Sequence, residues 1–191
     1  MPLKPGSLHI GTMGWTYRDW SGTFYARDAD RKDLLRYYAR VFDALEIDST
    51  FHFIPKPEVV AGWRDRTPAG FHFTAKMPGA ITHERGLVET EELLDSFLDS
   101  MAHLGDRLGC LLVQLPPAFQ CNPQTFNRVE TFLGLLSARD FRFAFEFRNP
   151  SWVKAEVFDL LRAHGMAWTM QDYPKVMPIV PEITADFTYI R

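Results

Sequence analysis

Two periodicities take turns along this chain. The clearest instance is the stretch 141–152, FRFAFEFRNPSW, in which Phe143, Phe145 and Phe147 alternate with Ala144, Glu146 and Arg148. Strict period-two alternation marks a strand with two different faces, here one apolar and one ending in charge. Asn149, Pro150 and Ser151 then stop the strand, and Val153, Val157, Leu160 and Leu161 recur at helical spacing until Gly165, a residue suited to a helix C-terminus. The unit is strand, short loop, helix, with a charged pair at the carboxyl end of the strand.

The same alternation recurs along the chain. Residues 9–12 predict a first strand, followed by an aromatic loop with Trp15, Tyr17, Trp20, Phe24 and Tyr25 around Gly22. These rings either pack on neighbouring loops or form a platform for a ligand. Residues 31–42 predict a helix capped by Asp30, with Leu34, Leu35, Tyr38, Val41 and Phe42 on one face. A second strand spans 44–48, its Ala44, Glu46 and Asp48 opposite Leu45 and Ile47, and Pro57 starts a short helix through Trp63. The third strand, 71–77, alternates Phe71, Phe73 and Ala75 with His72, Thr74 and Lys76. After a loop with His83, Thr90 caps a helix whose apolar positions run from Leu93 to Leu104. Strand four, 110–115, is nearly all apolar except Gln114, as a strand covered on both faces should be. Asn122 and Pro123 open a helix through Leu136, strand six spans 166–172 and ends on Asp172, and strand seven is 187–191, ending on Arg191. Between them, 173–185 carries three prolines and reads as irregular.

Regular alternation of strands with amphipathic helices predicts a parallel sheet with right-handed crossovers. An open doubly wound sheet usually has a glycine-rich phosphate turn, and Gly11, Gly14 and Gly22 do not have GxGxxG spacing. A TIM-type (β/α) barrel fits better, because polar residues gather at the strand ends where a barrel has its mouth. The expectation is a single domain over 1–191, with seven strands present and the eighth strand and last helices missing.

Composition narrows the function classes. A length of 191 residues with 46% hydrophobic content suffices for a substantial core. The net charge of -3 lacks the basic excess of a general nucleic-acid binder. Cys110 and Cys121 have no metal-ligand spacing and read as free thiols, so a reducing, cytoplasmic location is expected. No signal peptide or membrane-length apolar run is found.

The strings IGTMGWTYRDWSGTFY, ALEIDSTF, FTAKMPGAITH, LLVQLPPAF, FEFRNPSW and FTYIR, in this order, resemble the YecE-like family, also called domain of unknown function 72. The likeness runs from about residue 7 to residue 191. It implies a TIM-type barrel and an activity not established, though the family has been called sugar-isomerase-related. Members usually continue past the last arginine with a His-Gly pair, a strand and a helix, so this chain reads as C-terminally shortened. It also departs at His52-Phe53, where a tyrosine and a basic residue are common, and at Asn149, where histidine is common.

Glu46, Lys76, Gln114, Glu146, Arg148, Asp172 and Arg191 all stand at predicted strand ends and are expected to face one mouth, with Trp15 on its wall. Adjacent strands lie ~4.8 Å apart, so Glu46 is expected to pair with Lys76, and Asp172 with Glu146 or Arg191. The competing view is that these charges only neutralise one another in the interior. Candidate catalytic residues are Glu46, Lys76, Glu146 and Asp172. Candidate ligand-binding residues are Trp15, Tyr17, His83, Gln114, Arg148 and Arg191, with His83 a possible acid or base. His72 is expected to be a satisfied interior residue.

The favoured function is an enzyme, isomerase-like or hydrolase-like, acting on a small polar or anionic ligand such as a sugar or sugar phosphate. A metal-dependent version finds no His-rich ligand spacing, and a two-carboxylate glycosidase would need carboxyls only ~5 Å apart. No cofactor and no metal are expected. A nucleic-acid enzyme or binder and a non-catalytic ligand-binding barrel are the alternatives. The expected partner is a small molecule rather than a membrane or a nucleic acid, and the oligomeric state is not readable.

Overall fold

The computed structural model describes residues 6–173 and 177–191, so part of the proline-bearing connection (174–176) and the first five residues of the chain lie outside the described residues. The fold is α/β. Among the described residues, β1 (Gly11–Met13), α1 (Leu34–Tyr38), β2 (Ala44–Ile47), α2 (Pro57–Asp65), β3 (His72–Lys76), α3 (Glu91–Met101), β4 (Leu108–Leu115), α4 (Pro123–Ser137), β5 (Phe143–Phe147), α5 (Ala155–Ala163), β6 (Ala167–Met170) and β7 (Tyr189–Ile190) follow one another. Residues 6–76 and 95–109 form one compact unit, and 77–94 with 110–191 another.

In the first unit β1 pairs in parallel with β2, and β2 with β3. Gly11 is placed by steric need: a side chain there would run into the Ala44 carbonyl of β2. The expected first strand begins too early. Asp43 takes the Ile10 N–H on Oδ1 at 2.8 Å and the His9 ring on Oδ2 at 2.9 Å, so these residues are tied to a side chain before ladder pairing begins. The predicted helix 31–42 contracts to α1, where Leu35 and Tyr38 are buried while Val41 is exposed. The ring loop packs on that helix: Trp20 stacks on Tyr38, and Phe24 lies edge-on to Tyr25 and Tyr37. Packing therefore accounts for Trp20, Phe24 and Tyr25, while Tyr17 stays largely exposed.

In the second unit β4, β5, β6 and β7 pair in parallel in that order. Asn122 caps α4 as expected: its side chain accepts from the Gln124 and Thr125 N–H groups, and Thr125 returns a bond to the Asn122 N–H. Such a reciprocal cap satisfies donors that the first helical turn leaves unpaired. Val129, Phe132, Leu133 and Leu136 form the buried face of α4.

Both faces of β5 are buried, including the face that carries Glu146. On the other face Phe147 stacks on Trp152 at 4.5 Å and on Trp168 at 5.5 Å, and Trp168 meets Phe158 of α5 edge-on. Trp152 sits in a short 3-10 turn, Pro150–Trp152, capped by Asn149, and its indole N–H donates to the Phe119 carbonyl at 2.7 Å. Among the described residues no helix is long and apolar enough to cross a membrane.

Candidate functional site

Strand register builds the site in the second unit. Gln114 stands opposite Glu146, and Ala144 opposite Ala167. Continuing by twos sets Thr169 beside Glu146, and the pairing of Thr169 with Tyr189 sets Gln171 beside Arg191. The face therefore changes character along the strands. Cys110, Leu112, Ala144 and Ala167 form an apolar cluster with Phe187 and Tyr189 against it. Gln114, Glu146 and Thr169 follow, and Arg148, Gln171 and Arg191 end the series.

Glu146 is the centre of this cluster. Its Oε1 accepts from Gln114 Nε2 at 3.1 Å and from Arg148 Nε at 2.6 Å, and its Oε2 accepts from Arg191 Nη1 at 2.6 Å. One buried carboxylate thus holds two guanidiniums, and their charge exceeds its own. The Arg148 guanidinium lies 5.5 Å from the centre of the Tyr173 ring. Gln171 donates through Nε2 to the Phe147 carbonyl at 2.6 Å, while its Oε1 and the Thr169 hydroxyl are buried without a hydrogen-bond partner among the described residues.

Asp172 departs from expectation. It is exposed, and its link to Arg191 is one of main chain, the Asp172 N–H donating to the Arg191 carbonyl at 2.8 Å. The reason is phase: Thr169 and Gln171 share the inner face of this segment, so the next residue faces away from it. Arg191 bonds instead to Glu146. His83 is exposed in a single π-helical turn, Ala80–Glu84, with Nδ1 at 2.9 Å from the Thr82 hydroxyl. Such turns interrupt regular helical bonding and recur at functional sites.

Glu46, Lys76, Trp15 and Tyr17 belong to the first unit. The ammonium of Lys76 lies 3.3 Å from Asp48 Oδ1, an ion pair without a well-aligned hydrogen bond, and 4.0 Å from the centre of the Phe51 ring. Register brings Asp48 to Lys76: Glu46 stands opposite Thr74, and two residues further Asp48 comes opposite Lys76. Glu46 itself is buried, and its carbonyl accepts the Gly14 N–H at 2.8 Å. The Tyr17 hydroxyl donates to the Met13 carbonyl. Burial, then the charges of Asp48 and Glu46, push the Tyr17 phenol above its ordinary pKa of 10.0. Trp15 is half-buried, edge-on to Trp63 at 6.1 Å.

His72 is half-buried, its ring 4.1 Å from that of His9, and burial followed by the His9 charge lowers its pKa from 6.5. Among the described residues no group of three or more His, Cys, Asp or Glu side chains is arranged to hold a metal ion. Asp48, Thr169, Gln171 and Tyr173 escaped the sequence reading as site residues. Only the register of neighbouring strands signals the first three.

A family model described as "Protein of unknown function DUF72" matches residues 9–191. The chain is 32% identical over 145 residues to "UPF0759 protein YecE" of Escherichia coli strain K12, covering 76% of this chain and 50% of that protein. It is 26% identical over 179 residues to "UPF0759 protein YunF" of Bacillus subtilis strain 168, covering 88% of this chain and 62% of that one. These matches therefore span about half to three-fifths of the relatives' length. A crystal structure of a DUF72 family protein from Thermotoga maritima is similar with a TM-score of 0.79 at 27% identity, over 95% of this chain and 72% of that one.

Proposed function

Because the chain belongs to the DUF72 family, a family of unknown function, we propose a function from the chemistry of its own strand ends: an enzyme acting on a small polar or anionic ligand, such as a sugar or sugar phosphate. Arg148 and Arg191 are the oxygen and anion donors, and Glu146 holds their guanidiniums in place. Gln114 braces Glu146 from the neighbouring strand. In the other unit the corresponding strand-end groups are Lys76, a further donor, and Glu46, a proton-transfer base. The finer fold reading belongs to the same proposal: parallel strands alternating with helices are the staves of a TIM-type barrel, whose chemistry lies at the carboxyl ends.

One observation carries this reading. A carboxylate that only had to be neutralised would need one arginine, yet buried Glu146 binds two at 2.6 Å. The Arg148 side chain remains 30% exposed, and among the described residues only its Nε is hydrogen-bonded. Its planar fork is thereby pre-oriented, with donors to spare for an oxyanion or a pair of hydroxyls.

Isothermal titration with glucose 6-phosphate and, separately, inorganic phosphate tests it. Saturable binding is expected, weakened about tenfold or more in Arg148→Gln as one charge-assisted contact is lost. Equal affinity in Arg148→Gln, with native far-UV circular dichroism, would refute the assignment. Binding of a single-stranded oligonucleotide in place of both small ligands would favour the nucleic-acid alternative.

A further inference from the structure

A second concentration of positive charge lies in the loop between β1 and α1. An open cavity of about 580 Å³ there is lined by Thr16, Tyr17, Arg18, Ser21, Arg27 and Arg31, among others, and by no carboxylate. That volume falls within the range of small-ligand pockets. Three arginines around one cavity run against the balance of a chain whose net charge is -3. None of the three guanidiniums has an ion-pair or hydrogen-bond partner among the described residues, although Asp28 and Asp30 are close in sequence. Asp30 is turned to its own backbone, its Oδ1 accepting the Lys32 N–H at 2.9 Å.

The loop that carries these groups is built to hold its shape. The Trp20 carbonyl accepts from the N–H groups of Thr23, Phe24 and Tyr25, and the Gly22 N–H donates to the Tyr25 carbonyl at 2.7 Å. Tyr25 is buried, its hydroxyl donates to the Trp15 carbonyl at 2.7 Å, and burial pushes its pKa to about 12, which keeps that donor protonated. Gly22 has a φ of +82, and a Cβ on it would lie 2.9 Å from Arg27 Nε. Glycine therefore serves two ends: it takes the left-handed turn and lets the Arg27 side chain lie across it. The Tyr17 ring tilts on Trp20 at 4.8 Å and supplies a wall.

We propose that this cavity is a binding site for a small phosphoanion, a molecule carrying a di- or triphosphate group, with Arg18, Arg27 and Arg31 gripping the phosphates and the Thr16 and Ser21 hydroxyls as neutral donors. Guanidinium forks match phosphate oxygens in pairs, and several on a braced loop give a geometry that one surface arginine does not. This site does not rest on the function proposed for the Glu146 cluster.

Inorganic pyrophosphate is the probe, followed by isothermal titration at low ionic strength. Wild-type chain binds it saturably, and the double variant Arg27→Gln, Arg31→Gln weakens binding about tenfold or more. The charge-matched double variant Arg36→Gln, Arg40→Gln, outside the cavity, keeps wild-type affinity. Far-UV circular dichroism accompanies each variant, and Arg31→Gln alone serves if the double variant unfolds. Unchanged affinity in the Arg27, Arg31 pair overturns the proposal. So does an equal loss in the Arg36, Arg40 pair, which would mean general charge attraction. Binding of a single-stranded oligonucleotide but not of pyrophosphate overturns it as well.

Discussion

Replacing Glu146 by Gln removes the negative charge that two guanidiniums share and leaves the shape nearly unchanged. The carboxylate accepts three hydrogen bonds, at 3.1, 2.6 and 2.6 Å, from a carboxamide and two arginines. Bonds to charged groups contribute ~1.5–3 kcal/mol each. A Gln side chain keeps one acceptor oxygen but turns an NH2 toward a guanidinium donor, so at least one of these contacts becomes repulsive. Breaking a buried pair costs about 3–5 kcal/mol. Because the Arg148 and Arg191 side chains are 30% and 17% exposed, both can turn partly to water, and the lower end, ~3 kcal/mol, is the expected loss. For a chain of this size that lowers the melting temperature by ~6–12 °C. Urea unfolding followed by tryptophan fluorescence reads the loss as a shift in midpoint at constant slope. Arg148→Gln costs less, ~1 kcal/mol, because Glu146 keeps Arg191 and Gln114. A loss under ~1 kcal/mol in Glu146→Gln would mean that solvent already screens the cluster and that Glu146 does not orient the arginines.

Other outcomes follow from the same structure. His72 is held below its ordinary pKa by burial and then by the His9 charge, so the unfolded chain takes up the proton first. Stability is therefore present above the unfolded value of 6.5 and falls as the pH drops below it. A melting series between about pH 8 and pH 5 should show this slope in wild type and a shallower one in His72→Asn. Gly11→Val places a side chain against the Ala44 carbonyl and should cost ~1–3 kcal/mol or more, read as a lower urea midpoint, since backbone must move. Asp172→Asn, at an exposed position, should stay within ~0.5 kcal/mol of wild type by the same assay.

Much of the fold was readable because local signals agreed with it. The alternation of Phe143, Phe145 and Phe147 and the Asn122-Pro123 start of α4 correspond to observed elements. The burial of Glu146 was not readable, since an alternating strand is equally compatible with one wet face. At the strand ends the sequence reading took the last charged residue as the inward one. Arg191 does reach the buried Glu146, whereas Asp172 is exposed and the residue in phase with the inner face is Gln171. Partner choice was hidden for a related reason. Which carboxylate meets Lys76 depends on the stagger of β2 against β3, and the chain encodes that stagger in turn geometry and packing rather than in either strand alone. The early end of α1 and the π-helical turn at His83 leave no mark in the alternation of apolar and polar residues.

The most direct test of the central claim is diffraction from crystals grown with a sugar phosphate. The strand-end account predicts density for the anion within hydrogen-bond distance of the Arg148 guanidinium, with Glu146 still bridging Arg148 and Arg191. Ordered sugar phosphate elsewhere on the chain, with none at Arg148, would contradict it.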